Sequence, residues 1–267
     1  MLGDITLGQF YPANSVVHKL DPRIKIVLAI VLIVGLFVAH SFYSYLVCFL
    51  FIITAVILSK VPVGFIFKGL KPILFIMLFT AVINIFFTDG RILFKLGVLR
   101  VTYEGIAVAA AMVFRLFLLV TLTSLLTLTT SPIMLTDGIE SLLKPLRVIK
   151  VPAHEIAMMM TIALRFIPTL MEETDKIIKA QSARGADFTT GSLLSRAKAM
   201  IPILIPLFIS SFRRADELAT AMECRCYKGG DGRTKLKVLK LGTRDFVALA
   251  LVVLLMALII ILNIFVG

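Results

Sequence analysis

The sequence predicts an all-α protein that crosses a membrane several times. Of its 267 residues, 59% are hydrophobic and only 16% are charged, with a mean hydropathy of +1.01. Soluble domains lie nearer to half apolar and a quarter charged. A soluble core of this size cannot hide so much apolar surface, so lipid must cover part of it.

Five apolar runs define about five predicted transmembrane helices, at residues 24–39, 42–58, 72–87, 105–130 and 246–266. Only His40 and Ser41 separate the first two runs, which predicts a tight helical hairpin. A span needs about 20 residues. The first and third runs are shorter, so local bilayer thinning or snorkelling flanks are expected there.

The basic residues predict the orientation. The chain has 28 Lys and Arg against 16 Asp and Glu. Cations cluster before the first run, between the second and third runs, and between the fourth and fifth. The positive-inside rule places these regions in the cytoplasm, although Arg91, Lys95 and Arg100 fall on the other side. We therefore expect a cytoplasmic N-terminus, a membrane region at 1–130, a cytoplasmic domain at 131–245 and a C-terminal span at 246–267. Because the cations flank apolar runs, no nucleic-acid binding is expected.

The segment between residues 131 and 245 predicts amphipathic helices. Apolar or small residues step by three and four along two stretches, which predicts one packed stripe on each helix. The positions are Ile167, Leu170, Thr174 and Ile177 in the first stretch, and Phe208, Phe212, Ala215, Ala219 and Met222 in the second. Such helices lie on a membrane surface or are presented to a cytosolic partner, and composition alone does not decide between these interpretations.

These two stretches end alike. Each carries an Asp nine residues before an Arg, namely Asp175 before Arg184 and Asp216 before Arg225. Small residues flank both Arg positions: Ala183 and Gly185, and Cys224 and Cys226. A cation is favoured at a helix C-terminus, and a guanidinium can grip a carboxylate or several carbonyls. One such Arg is adequately explained as a capping charge, but two with matched spacing favour a binding role.

Four segments carry a family resemblance: SVVHKLDPRIK at 15–25, LRFIP at 164–168, AQSARG at 180–185 and RRADELATAMECRCY at 213–227. The chain resembles the transmembrane component of energy-coupling-factor transporters, a family that includes cobalt- and nickel-type permease subunits. In the second Arg motif, Cys replaces both small neighbours. Because this removes the glycine that commonly stops a helix, we expect the second helix to run on toward Gly229 and Gly230.

The resemblance implies a non-catalytic scaffold of an ABC-type importer in the cell (inner) membrane. Its partners would be two ABC-type ATPase subunits, which bind the ATP and Mg, and a membrane subunit that captures a vitamin or transition metal. The chain itself would need no cofactor, and both a shared and a dedicated module remain open. The ATPase-coupling residues would be Ala183, Arg184, Gly185, Cys224, Arg225 and Cys226. Asp175 and Asp216 would support them as partners of Arg or Lys.

Other features favour no catalysis. His154-Glu155 does not continue to a second His, because Met158 stands at that position, and no P-loop sequence is present. We expect neither a metal site nor an enzyme. Arg115, in the middle of the fourth run, is either functional or a snorkelling or carbonyl-bonded residue. A self-contained secondary transporter is the alternative function, but it would need repeated spans and ionisable groups near the midplane.

Overall fold

The computed structural model describes residues 10–96, 99–150, 152–186, 188, 192–230 and 239–266. The chain divides into two compact units. Residues 8–141 and 239–267 form what we call the apolar unit, and residues 142–238 form the long-helix unit. Each unit is described by itself.

The apolar unit contains helices α1 (Pro22–Val38), α2 (Phe42–Ser59), α3 (Val63–Leu70), α4 (Leu74–Phe87), α5 (Tyr103–Thr129), most of α6 (Pro132–Leu143) and α9 (Thr243–Val266). Asp21 caps α1 by accepting a hydrogen bond from the Arg23 amide, and Pro22 occupies the first turn, where a missing N–H costs nothing. Buried aliphatic residues of α1, α2, α5 and α9 form the largest core of this unit.

Three of the described helices are long and apolar enough to cross a membrane: α2, α5 and residues Thr243–Phe265 of α9. Helices α3 and α4 pass the same test together and would make a fourth span, although they are bent by 58°. Helix α1 has 17 residues, a length of about 26 Å, which is near the lower limit for a span. The chain is therefore an all-α, multi-pass membrane protein, as the sequence predicts. The five-span count and the sidedness stay predictions.

The third predicted span differs from the structure. The sequence indicated one helix over residues 72–87, but α3 precedes it and meets α4 at the bend. Pro72 comes directly after Lys71, the capping residue of α3, and has no N–H to continue the helical hydrogen-bond ladder. A short antiparallel hairpin, β1 (Ile92–Leu96) with β2 (Leu99–Thr102), also occupies the loop predicted between the third and fourth runs.

The long-helix unit is built on α7 (Ala153–Ala183) and α8 (Leu193–Cys224), and a 3-10 turn at Lys144–Ile149 precedes them. These helices match the two predicted amphipathic stretches. In the second stripe, Phe208 and Phe212 are 67% and 59% exposed, so its packing on a membrane surface or on a partner stays a prediction. No described part of the long-helix unit covers that face of α8, so its apolar side chains remain on the surface of this unit.

Candidate functional site

The first Arg motif forms the C-terminal cap of α7. Arg184 is the capping residue, and Gly185 follows it with a left-handed φ of +89°. The Gly185 amide donates to the Ser182 carbonyl at 3.0 Å, and the Ala186 amide donates to the Gln181 carbonyl at 3.0 Å. This crossed pair of bonds is a Schellman motif, which satisfies the last carbonyls and stops the helix.

The second Arg motif forms the same cap on α8. Arg225 takes the position of Arg184, and Cys226 takes the left-handed position with a φ of +56°. The Cys226 amide donates to the Glu223 carbonyl at 2.8 Å, and the Tyr227 amide donates to the Met222 carbonyl at 3.1 Å. The expectation that α8 would run on toward Gly229 and Gly230 is therefore wrong. The crossed hydrogen bonds form although Cys is not the residue that favours this backbone conformation.

Both guanidinium groups are available to a partner. Arg184 and Arg225 are exposed, as are their flanking residues Ala183, Gly185, Cys224 and Cys226. Within the described part of the chain, neither Arg side chain makes a hydrogen bond or an ion pair. Each helix thus presents a cation at its negative dipole end. We call these two ends, residues 183–185 and 224–226, the arginine tips.

The expected role of the two Asp residues is not seen. Asp175 is half-buried and Asp216 is exposed, and neither carboxylate has a partner among the residues that the structure describes. Glu173 instead pairs with Arg214 at 2.7 Å and joins α7 to α8. A hydrogen bond from the Ser210 hydroxyl and the charge of Arg214 hold the pKa of Glu173 below its usual value, although partial desolvation opposes them.

The Glu173–Arg214 pair joins equivalent positions of the two helices. The two residues are 41 apart in sequence, the same offset that relates the arginine tips, and each lies eleven residues before its tip. A second contact joins Gln181 of α7 to the Pro202 carbonyl of α8 at 3.5 Å. Moving toward one tip therefore means moving away from the other, so the helices are antiparallel where they meet. The tips lie on opposite sides of the crossing, at most about 33 Å apart along the helices.

Arg115 of α5 is bonded within the apolar unit. Its guanidinium donates to the Ala39 carbonyl at 3.2 Å and to the Tyr45 hydroxyl. It also lies 5.6 Å from the ring centres of Phe37 and Tyr45. These contacts match the carbonyl-bonded interpretation, and they compensate for placing a charge among apolar helices.

Several polar contacts of the apolar unit were not predicted. The Lys25 ammonium is buried and donates to the Thr129 carbonyl at 2.9 Å and to the Thr130 hydroxyl at 3.1 Å. The buried Asp245 carboxylate accepts from the Asp21 amide at 2.8 Å. Asn263 accepts from the Ser44 hydroxyl at 2.9 Å. A lone amide or carboxylate at the end of an apolar run was the available signal, because such a group must be paired in lipid.

The described residues hold no group of three or more His, Cys, Asp or Glu side chains arranged to bind a metal ion. The site they do present is a pair of exposed cationic helix ends on a multi-pass helical protein. This arrangement defines the class of protein as a multi-pass helical membrane protein with two matched cationic helix ends.

Comparisons with known proteins identify the family. Residues 13–236 match the family model CbiQ, described as cobalt transport protein. Three relatives carry the description energy-coupling factor transporter transmembrane protein EcfT. The relative from Clostridium kluyveri is 60% identical over 93% of both chains. The relative from Ruminiclostridium cellulolyticum is 56% identical over 98% of both chains. The relative from Bacillus subtilis is 48% identical over 92% of this chain and 93% of its own length. This chain belongs to the family of energy-coupling factor transporter transmembrane proteins.

Proposed function

We propose that the chain is the non-catalytic scaffold that couples ATP hydrolysis on two ATPase subunits to movement of a substrate-capture membrane subunit. The observation that carries this proposal is the pair of arginine tips. Two helix ends share one cap geometry, one exposed cation and small neighbours, although their sequences differ. Such a repeat suits docking to two similar partner surfaces, one for each tip.

The chemistry of a tip explains what it would bind. A guanidinium offers five donors in a planar fork, which fits a carboxylate or a ring of carbonyls. The small flanking side chains leave room for a partner backbone to approach. A groove of matching shape on an ATPase would bury the cation, and truncating a buried charged partner costs about 2–5 kcal/mol.

The exposed face of α8 supports a second partner. Its large apolar side chains lie at steps of three and four residues and are about half exposed or more; they are Met200, Ile201, Leu204, Ile205, Phe208, Ile209 and Phe212. A contiguous apolar surface of this kind is typical of an interaction site. We assign it to the membrane subunit that captures the substrate, whose own surface is expected to be apolar.

The proposal also includes the location of the chain in the cell and the class of transported substrate. The scaffold lies in the cell membrane with its N-terminus and its long-helix unit in the cytoplasm, where ATP is available. The cargo is a vitamin or a transition metal, and the capture subunit selects it. Neither ATP nor Mg binds to this chain, because both belong to the ATPases.

Co-purification and uptake test this function. Arg184→Glu and Arg225→Glu each set a negative charge against a site for a cation, which costs several kcal/mol, so each should abolish transport-coupled ATP turnover. The matched controls Asp175→Ala and Asp216→Ala alter unpaired carboxylates and should cost at most about 1 kcal/mol of assembly energy. An equal loss of ATPase pull-down from the Asp variants would contradict the assigned role of the arginine tips.

Crosslinking tests the assignment of one tip to each ATPase. Cys224 and Cys226 are exposed native handles on the second tip, and Ala183→Cys would mark the first. In a complex with two different ATPases, short crosslinkers at the two tips should label different subunits. Labelling of the same subunit from both tips would contradict the assignment. Substrate uptake by the chain alone in liposomes would instead support a self-contained secondary transporter.

A further inference from the structure

A basic cavity lies in the apolar unit. Its volume is about 340 Å³, and the cations Lys19, Lys60 and Arg244 line it. Asn14 and Ser15 add polar groups, and its lining contains no Asp or Glu. All three cationic side chains are exposed and have no hydrogen-bond or ion-pair partner among the described residues. Three unneutralised cations around one cavity create a strong local attraction for an anion.

The cavity lies at the ends of membrane helices. Lys60 is the capping residue at the end of α2, and Arg244 lies in the first turn of α9. Both helices are candidate spans. Lys19 precedes the start of α1 by three positions. The three cations are therefore at the depth where lipid headgroups begin, outside the hydrocarbon of the bilayer.

Buried and partly buried hydrogen bonds hold two segments of the cavity wall in place. The Ser15 hydroxyl bonds to His18 Nδ1 at 2.7 Å, and His18 Nε2 donates to the Tyr11 carbonyl at 2.9 Å. Next to Arg244, the Asp245 carboxylate accepts from the Gly242 amide at 2.8 Å and ties α9 to the start of α1. The backbone next to Lys19 and Arg244 is thus held in place, and binding an anion has to order mainly the three exposed side chains.

The geometry points to a binding site for the phosphate group of an anionic phospholipid. Beside the cations, the lining includes Ile57 and Leu58, which are 70% and 51% exposed on the surface of a spanning helix. A cationic rim beside lipid-facing aliphatic side chains matches a molecule with a phosphate at one end and acyl chains at the other. Free phosphate shares the charged half of this chemistry but has nothing to place against Ile57 and Leu58.

Native mass spectrometry of the purified full-length protein tests this site. The probe is phosphatidylglycerol, with phosphatidylcholine as the neutral lipid. The site variant carries Lys19→Gln, Lys60→Gln and Arg244→Gln. The control variant carries Lys68→Gln, Lys71→Gln and Lys144→Gln, which remove the same charge from other exposed positions. We expect the site variant to bind phosphatidylglycerol about tenfold more weakly or worse, and the control variant to bind it as the wild type does.

A second measurement protects the test against misfolding. In detergent with phosphatidylcholine, the melting temperatures of the wild type and the two variants should agree, and phosphatidylglycerol should raise that of the wild type and the control only. If the triple variant does not fold, the single variant Arg244→Gln should also bind phosphatidylglycerol more weakly than the wild type, but by a smaller factor. Equal phosphatidylglycerol binding by site and control variants would overturn the site. Displacement of the lipid by inorganic phosphate at matched concentration, or crosslinking of the three positions to an acidic protein partner, would also overturn it.

Discussion

The two caps make opposite predictions, because glycine occupies the left-handed position at the end of α7 and cysteine occupies it at the end of α8. Gly185 has a φ of +89° with no heavy atom within 4 Å of a would-be Cβ, so Gly185→Ala adds backbone strain and no clash. A left-handed conformation costs an L-residue about 1–2 kcal/mol, and the lost entropy of the unfolded glycine returns about 0.4–1 kcal/mol. The net expectation is that Gly185→Ala destabilises the end of α7 by about 1 kcal/mol.

Cys226→Gly reverses this balance at the end of α8. The same two terms predict a stabilisation of about 1 kcal/mol, because glycine relieves the strain at a φ of +56°. Cys224→Gly is the matched control, since Cys224 is helical and the glycine should destabilise by about 0.3 kcal/mol. Two identical substitutions two residues apart should therefore act in opposite directions.

Hydrogen exchange of the capping amides measures these effects. The amides of Ala186 and Tyr227 donate the outer bonds of the two caps. A change of 1 kcal/mol shifts their opening equilibrium about fivefold. Exchange at Ala186 should rise in Gly185→Ala, and exchange at Tyr227 should fall in Cys226→Gly and rise in Cys224→Gly. A rise at Tyr227 in Cys226→Gly would refute the assignment of Cys226 to the left-handed position.

Three further predictions concern packing and charge, each measured by thermal unfolding in detergent. Gly105→Ala should destabilise by about 1–3 kcal/mol, because its Cβ would lie 2.7 Å from Thr102 Oγ1 and 2.9 Å from the Asn84 carbonyl. Gly64→Ala, with open space at its Cβ, is the control, and equal losses would contradict the close packing. The lowered pKa of Glu173 predicts stability that is present above about pH 4.3 and falls as the pH drops through the folded pKa. Glu173→Gln should flatten that fall and cost at most about 1 kcal/mol near neutral pH, whereas an unchanged acid profile would exclude this carboxylate as its source. Tyr45→Phe removes an acceptor of Arg115 and should cost about 1.5–3 kcal/mol, and no loss would show that the Ala39 carbonyl suffices.

The apolar helices were predictable because a helix exposed to lipid needs a long uninterrupted run of apolar residues. The predicted run at 42–58 corresponds to the helix Phe42–Ser59, and the predicted run at 105–130 corresponds to the helix Tyr103–Thr129. The bend between α3 and α4 was not predicted, since Lys68 and Lys71 suggested a loop. Helix α3 has only eight residues and one apolar stripe. It is too short to be recognised by a search for apolar runs of membrane-spanning length.

The arginine tips were found from the matched spacing, but their geometry was only half predicted. Glycine as a helix stop is a preference of about 1 kcal/mol, and the hydrogen bonds of the cap outweigh it at Cys226. The contact between Glu173 and Arg214 carried a signal that was missed: opposite charges stand at equivalent positions of the two repeats. Asn263 bonds to Ser44, and Asp245 bonds to the Asp21 amide. Both partners lie far away in the sequence, so no local pattern specifies these hydrogen bonds.

The crossing of α7 and α8 has a mechanical consequence. The Glu173–Arg214 pair is partly exposed and resists rotation only weakly, so it can serve as a pivot once the long Gln181–Pro202 contact at 3.5 Å is broken. Each tip stands eleven residues beyond it, a lever arm of about 16 Å. Rotation of one helix against the other by about 10° would displace each tip by about 3 Å. The two tips would move in opposite directions. A small change in the angle between α7 and α8 would therefore displace the tips by about the length of one hydrogen bond, which is enough to make or break contacts with a bound protein.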